Sequence, residues 1–159
     1  MNMQHYMMTV DGRAEGKRRL LVLASHLYQL KGGVFDFSTW VGDDWAGKQD
    51  LSCGTVACAL GHACAIPEFQ KLGLYMDKIT LSPAIPNRGS GLTAAQTLFH
   101  LDASEASYLF MPNHFNGLSD ESTAKQVADN IRSFVQQGGL PPHVLAMMRP
   151  RTSLRLSIA

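Results

Sequence analysis

No segment of this chain approaches the run of about 18 apolar residues that spans a bilayer. The start, Met1-Asn2-Met3-Gln4-His5-Tyr6, lacks the basic stretch and apolar core of a secretory signal. A membrane partner is therefore not expected. Neither sign of charge dominates: 14 Lys and Arg stand against 13 Asp and Glu, for a formal net charge of +1. Nothing in that balance calls for nucleic acid or an anionic surface. The basic residues Lys17, Arg18, Arg19, Arg149, Arg151 and Arg155 come without an aromatic-rich basic strand. Cysteine is sparse as well. Cys53, Cys58 and Cys64 are the three present, and an odd, clustered set is a poor disulfide framework. Reduced thiols in the cytoplasm are the simpler expectation. No phosphate-binding glycine loop, dinucleotide glycine pattern or EF-hand loop occurs, and Asn87-Arg88-Gly89-Ser90-Gly91 reads as a turn. There is no internal repeat and no low-complexity tract.

What remains is a chain of 159 residues, 45% of them apolar, which suits one domain. Its patterning is mainly helical. From Ala14 to about Leu30, Leu20, Leu23, Leu27 and Leu30 recur at three- and four-residue spacing. Lys17, Arg18 and Arg19 would then crowd the first turns against the helix dipole. Residues 34–52 read as an irregular segment holding Trp40 and Trp45, with Ser38 capping a short turn. Pro67 starts another short turn that Gly73 ends. Leu74–Ser82 allows one short β-hairpin, and Pro83 through Gly91 reads as a loop.

Thr93 with Gln96, and Asp102 with Glu105, fit capping boxes for two successive helices. A last long helix runs from about Asp120 to Gln137, with Val127, Ala128, Ile131, Phe134 and Val135 on one stripe. A short helical stretch holds Val144–Met148. The expected fold is a compact, single-domain helical bundle of about five to seven helices. Residues 1–13 would be a flexible N-terminus, 14–148 the domain, and 149–159 a mobile tail. Val56, Leu60, Leu98, Leu109, Ile131 and Phe134 are the expected core.

Chemistry has one place to concentrate, the small-residue run Cys53–Cys64, which reads as a helix buried on most sides. Gly61 inside it implies a neighbouring group passing close by. A helix starting near Ser52 would put Cys53 in its first turn, where unpaired amides favour a thiolate. With Thr55 as the cap, Cys53 falls outside. A cysteine nucleophile needs a base, and His62, His100, His114 and His143 are the candidates, with Asp43, Asp44 or Asp50 to orient one of them. The catalytic set under that reading is Cys53, His62 and His114. Against it, cysteine commonly packs as a small hydrophobe. Cys58 and His62, four apart, would share a helix face and could chelate an ion, with Cys53 and then His100 or His114 completing a set. No C-x-x-C or H-x-x-x-H pairing supports that, so no metal and no cofactor is expected.

The run Cys53-Gly54-Thr55-Val56-Ala57-Cys58-Ala59-Leu60-Gly61-His62-Ala63 resembles the signature of a family of small uncharacterised bacterial and phage proteins. Residues 94–99, 105–112 and 127–131 are similar to that family's second half, so the resemblance covers roughly residues 35–138. It implies a bacterial or mobile-element context and carries no mechanism. Two functional classes follow. One is a non-enzymatic protein-interaction module, an accessory protein acting on a host protein. The other is a cysteine-dependent hydrolase or transferase using Cys53 with a histidine.

Overall fold

A computed structural model of the chain describes residues 10–31, 33–40, 57–113 and 115–148. Among them are seven helices and a small three-stranded sheet. The fold is mainly α. Helix α1, Val10–Tyr28, is 19 residues long and begins ahead of the expected Ala14. Lys17, Arg18 and Arg19 therefore sit inside the helix rather than at its positive end, and the dipole penalty lapses. Their charge is met instead by Glu15, which pairs with Arg18 at 2.7 Å and Arg19 at 3.4 Å, and by Glu68, which pairs with Arg18. The buried stripe of α1 is Gly16, Leu20, Leu23, Ala24 and Leu27.

Residues 33–40 run beside the chain that enters α2. Phe35 and Ala57 form a parallel bridge, closed by Asp36 N–H to Ala57 O (3.0 Å) and Ala57 N–H to Val34 O (3.1 Å). Asp36, not Ser38, organises the turn: its carboxylate accepts from the Ser38 amide at 2.9 Å and hydroxyl at 2.6 Å. Within the described part of the cysteine-rich run, residues 57–64, lies α2, Ala59–Ala63, all of it buried. Helix α3, Pro67–Lys71, has proline in its first turn, buries Phe69 and is followed by Gly73 at φ +100°, as the spacing predicts.

The sheet departs from expectation. Strands β1 (Tyr75–Met76), β2 (Pro83–Ile85) and β3 (Gly89–Ser90) pair antiparallel in the order β1-β2-β3. The stretch 83–91 is thus two strands and not a loop. Pro83 is tolerated because it opens its strand, where no ladder amide is required. Its carbonyl accepts from Gly91 N–H at 2.7 Å. Asn87 at φ +62° and Gly89 at φ +101° make the tight reversal between β2 and β3.

Helix α4, Leu92–Phe99, starts from Gly91 with no side-chain cap, so the expected Thr93–Gln96 capping box does not form. Gly91, at φ +59°, turns the chain into the helix two residues early and leaves Thr93 inside it. Helix α5, Ala103–Phe110, does carry its capping box, with Glu105 N–H to Asp102 at 2.8 Å and Asp102 N–H to Glu105 at 3.0 Å. Helix α6, Ala124–Gln137, begins later than Asp120 because Thr123 and Gln126 form a second box. Helix α7 is Pro142–Met148.

The broadest helix pair is α1 with α6. At their border Tyr28 donates to Asp129, and the Arg132 guanidinium lies 4.1 Å over the Tyr28 ring. Helices α1 and α4 also touch closely: a Cβ on Gly16 would come within 2.0 Å of the Phe99 carbonyl oxygen. In the middle, the Phe99 ring meets Phe69 edge-on at 5.6 Å and stacks on Phe110 at 5.5 Å. Leu60, Leu98, Leu109, Ile131 and Phe134 are buried as expected, and Val56 lies outside the described residues.

Candidate functional site

The Cys–His helix is held from two sides. Cys58 is the N-cap of α2, in extended backbone, and its Sγ accepts from Gly61 N–H at 3.4 Å. The side chain is 2% exposed, and burial pushes its thiol up to about 11, outweighing the amides around it. A helix N-terminus favours a thiolate, but desolvation disfavours any charge, and here desolvation wins. Cys64 is also buried, its thiol pKa is raised by burial, and its Sγ lies 3.7 Å from the Leu60 carbonyl. Both are protonated packing residues at neutral pH. Gly61 is explained by Trp40, whose carbonyl oxygen would lie 1.9 Å from any Cβ at position 61. The close neighbour implied by that glycine is the backbone of residues 33–40.

His62 is 7% exposed, with Nε2 2.6 Å from the Val34 carbonyl. That nitrogen must carry the proton and donate it, so it is committed to the backbone. The ring stacks with Phe35 at 6.3 Å and lies 6.3 Å from the His26 ring. Burial holds His62 below the usual imidazole range, against the Val34 carbonyl and aided by His26. His26 is lowered by burial too. His62 therefore fastens residues 33–40 onto α2.

Cys53 and His114 lie outside the described residues, as do Asp43, Asp44 and Asp50. His100 is the left-handed C-cap of α4, buried, with Nε2 3.5 Å from Arg19 Nη1. Burial and the Arg19 charge lower its pKa. His143 is exposed on α7. The chelating pair suggested by spacing also separates in role: Cys58 caps the helix, while His62 is tied to Val34. Among the described residues no three His, Cys, Asp or Glu side chains gather to hold a metal ion.

Several features escaped the sequence reading. Glu105 is 4% exposed and accepts from Arg13 Nη1 at 3.0 and 3.1 Å, linking α5 to the start of α1. A cleft of about 360 Å³ lies between the end of α1 and the start of α6. Leu27, Leu30 and Phe35 line it together with Lys31, Glu121 and Lys125. A second cleft of about 190 Å³ lies beside α2, lined by Phe37, Trp40, Phe110, Met111, Pro112 and Asp120 among others. Finally, Ile79 at the tip of the β1–β2 hairpin is 92% exposed, with Leu72, Tyr75 and Leu81 exposed nearby in sequence. No helix among the described residues is long and apolar enough to cross a membrane. The chain matches no protein-family model, no curated protein and no solved structure.

Proposed function

We propose that this protein is a non-enzymatic protein-interaction module, a single helical domain working in the bacterial cytoplasm as a phage or mobile-element accessory that acts on a host protein. The observation that carries this reading is the open cleft between α1 and α6. Its Leu27, Leu30 and Phe35 offer an apolar floor, and Lys31, Glu121 and Lys125 a charged border. That composition suits an apolar segment of another chain held by polar contacts at its edge. The bacterial and mobile-element context comes from the resemblance of residues 35–138.

The alternative is a cysteine-dependent hydrolase or transferase using Cys53. His62 is a poor base for it, since Nε2 is occupied by Val34. Under that reading the base falls to another histidine, such as His100 or His114.

The test compares tagged wild-type protein, a Lys31→Glu/Lys125→Glu variant and a Cys53→Ser variant as baits in bacterial extract. The expected result is a small set of proteins retained by wild type and by Cys53→Ser. The charge-reversed border should reduce retention several-fold at unchanged melting temperature. Retention of nothing beyond an unrelated helical control would reject the module. So would rapid, pH-dependent alkylation confined to Cys53, which marks an activated thiolate.

A further inference from the structure

We propose that the hairpin tip of one copy docks in the cleft beside α2 of a second copy, placing Ile79 against Phe37, Trp40 and Phe110 and Lys78 against Asp120. The tip is a rigid knob. Asp77 N–H bonds Ser82 O at 2.9 Å, and the Ile79 and Thr80 amides bond the Asp77 carboxylate at 2.7 and 3.0 Å. Leu81 N–H bonds Asp77 O at 2.9 Å, and the Thr80 and Ser82 hydroxyls meet at 2.8 Å. The amides of Asp77, Ile79, Thr80 and Leu81 are satisfied within the loop, so these four donors can leave water at little cost. An isoleucine 92% exposed on such a loop is an apolar group held out into solvent.

The cleft beside α2 complements it. Phe37, Trp40, Phe110, Met111 and Pro112 give it largely aromatic and apolar walls beside Ser38 and Thr39, its volume is about 190 Å³, and Asp120 is the one carboxylate among its described lining residues. Lys78 directly precedes Ile79, and among the described residues no ion pair engages Lys78 or Asp120. The cleft between α1 and α6 carries Lys31 and Lys125 beside Glu121, a net positive border that suits Lys78 less well. Ile79 is not buried in its own chain's cleft, because it is exposed. Strand addition is a poor alternative, since the edge strand β1 is two residues long. An anionic bilayer is also disfavoured: such surfaces are read by clusters of about 4–8 cations, and this chain's net charge is +1. Each copy carries both this knob and this cleft. A two-fold pair would engage both at once, and an unclosed rotation would grow a chain.

Sedimentation velocity of the full chain tests this from about 10 µM to about 1 mM, the range expected for a contact smaller than about 1,200 Å². Wild type should associate with rising concentration, and less so as salt is raised. Ile79→Asp, Ile79→Ser and Asp120→Lys should each weaken association at least tenfold, with melting curves unchanged. Pairing Lys78→Asp with Asp120→Lys should restore it. A monomer throughout that range overturns the proposal, as does association that Ile79→Ser leaves untouched or that the double charge reversal fails to rescue.

Discussion

A Cβ at position 61 would stand 1.9 Å from a backbone oxygen, and a carbonyl cannot swing aside as the end of a side chain can. Alanine favours a helix interior over glycine by about 1 kcal/mol. Overpacking against a fixed neighbour costs about 1–3 kcal/mol, so the clash wins. Gly61→Ala should lower stability in a denaturant melt, and a gain would mean that residues 33–40 do not lie on α2. His62 gives the same contact a pH dependence. Its folded pKa, like that of His26, is depressed, so the unfolded chain binds more protons as the medium acidifies. Stability is fully present above the ordinary value of 6.5 and falls as pH drops through the depressed folded values. Asp36, lowered by its Ser38 hydrogen bonds, acts in the same direction but only below its own ordinary value of 3.8. Melting temperature should therefore decline as pH falls below about 6.5. His62→Gln, which keeps a donor for Val34 and cannot titrate, should flatten that decline. An unchanged slope would assign it to other groups.

Two threonines separate a cap that forms from one that does not. Thr123 accepts from Gln126 N–H at 3.2 Å and opens α6, so Thr123→Ala should cost about 1 kcal/mol. Thr93 lies inside α4, so Thr93→Ala should cost less than about 0.5 kcal/mol. Equal losses in chemical melts would contradict these starts. The same pair shows what was legible. Helices with a wide apolar stripe, α1 and α6, stand out from spacing alone, and Asp102–Glu105 marks α5 because a capping box is local chemistry. The α4 start is not legible because Gly91 decides it through a positive φ and a bond to the Pro83 carbonyl, neither of which spacing encodes. The sheet was half legible. Strands of two or three residues are too short to alternate, and β2 is buried throughout, so it carries no period-two signal. The site fared similarly. Gly61 announced a close neighbour, but nothing local names Trp40 as that neighbour, or Val34 as the partner of His62.

Arg13 and Glu105, 92 positions apart, join the first turn of α1 to α5. The sequence alone places the start of the domain at residue 14, whereas helix α1 begins at Val10. A chain shortened to begin at residue 14 leaves Glu105 buried and without its cation. Breaking a buried pair by removing one partner costs about 3–5 kcal/mol. The Arg13 side chain is 32% exposed, so solvent screening reduces the expected loss to about 1–3 kcal/mol. A chain starting at residue 14 should therefore melt well below one starting at residue 10. Part of that difference comes from the lost helical turn, and Glu105→Gln separates the two contributions. Glutamine keeps an acceptor for Asp102 N–H and carries no charge to strand. It should destabilise the chain starting at residue 10, where it discards the ion pair, and should cost little or even help in the chain starting at residue 14, where no cation remains. The coupling is the difference between those two effects. If Glu105→Gln costs the same in both lengths, Arg13 does not hold α5, and the join between the two ends of the fold rests on apolar packing alone.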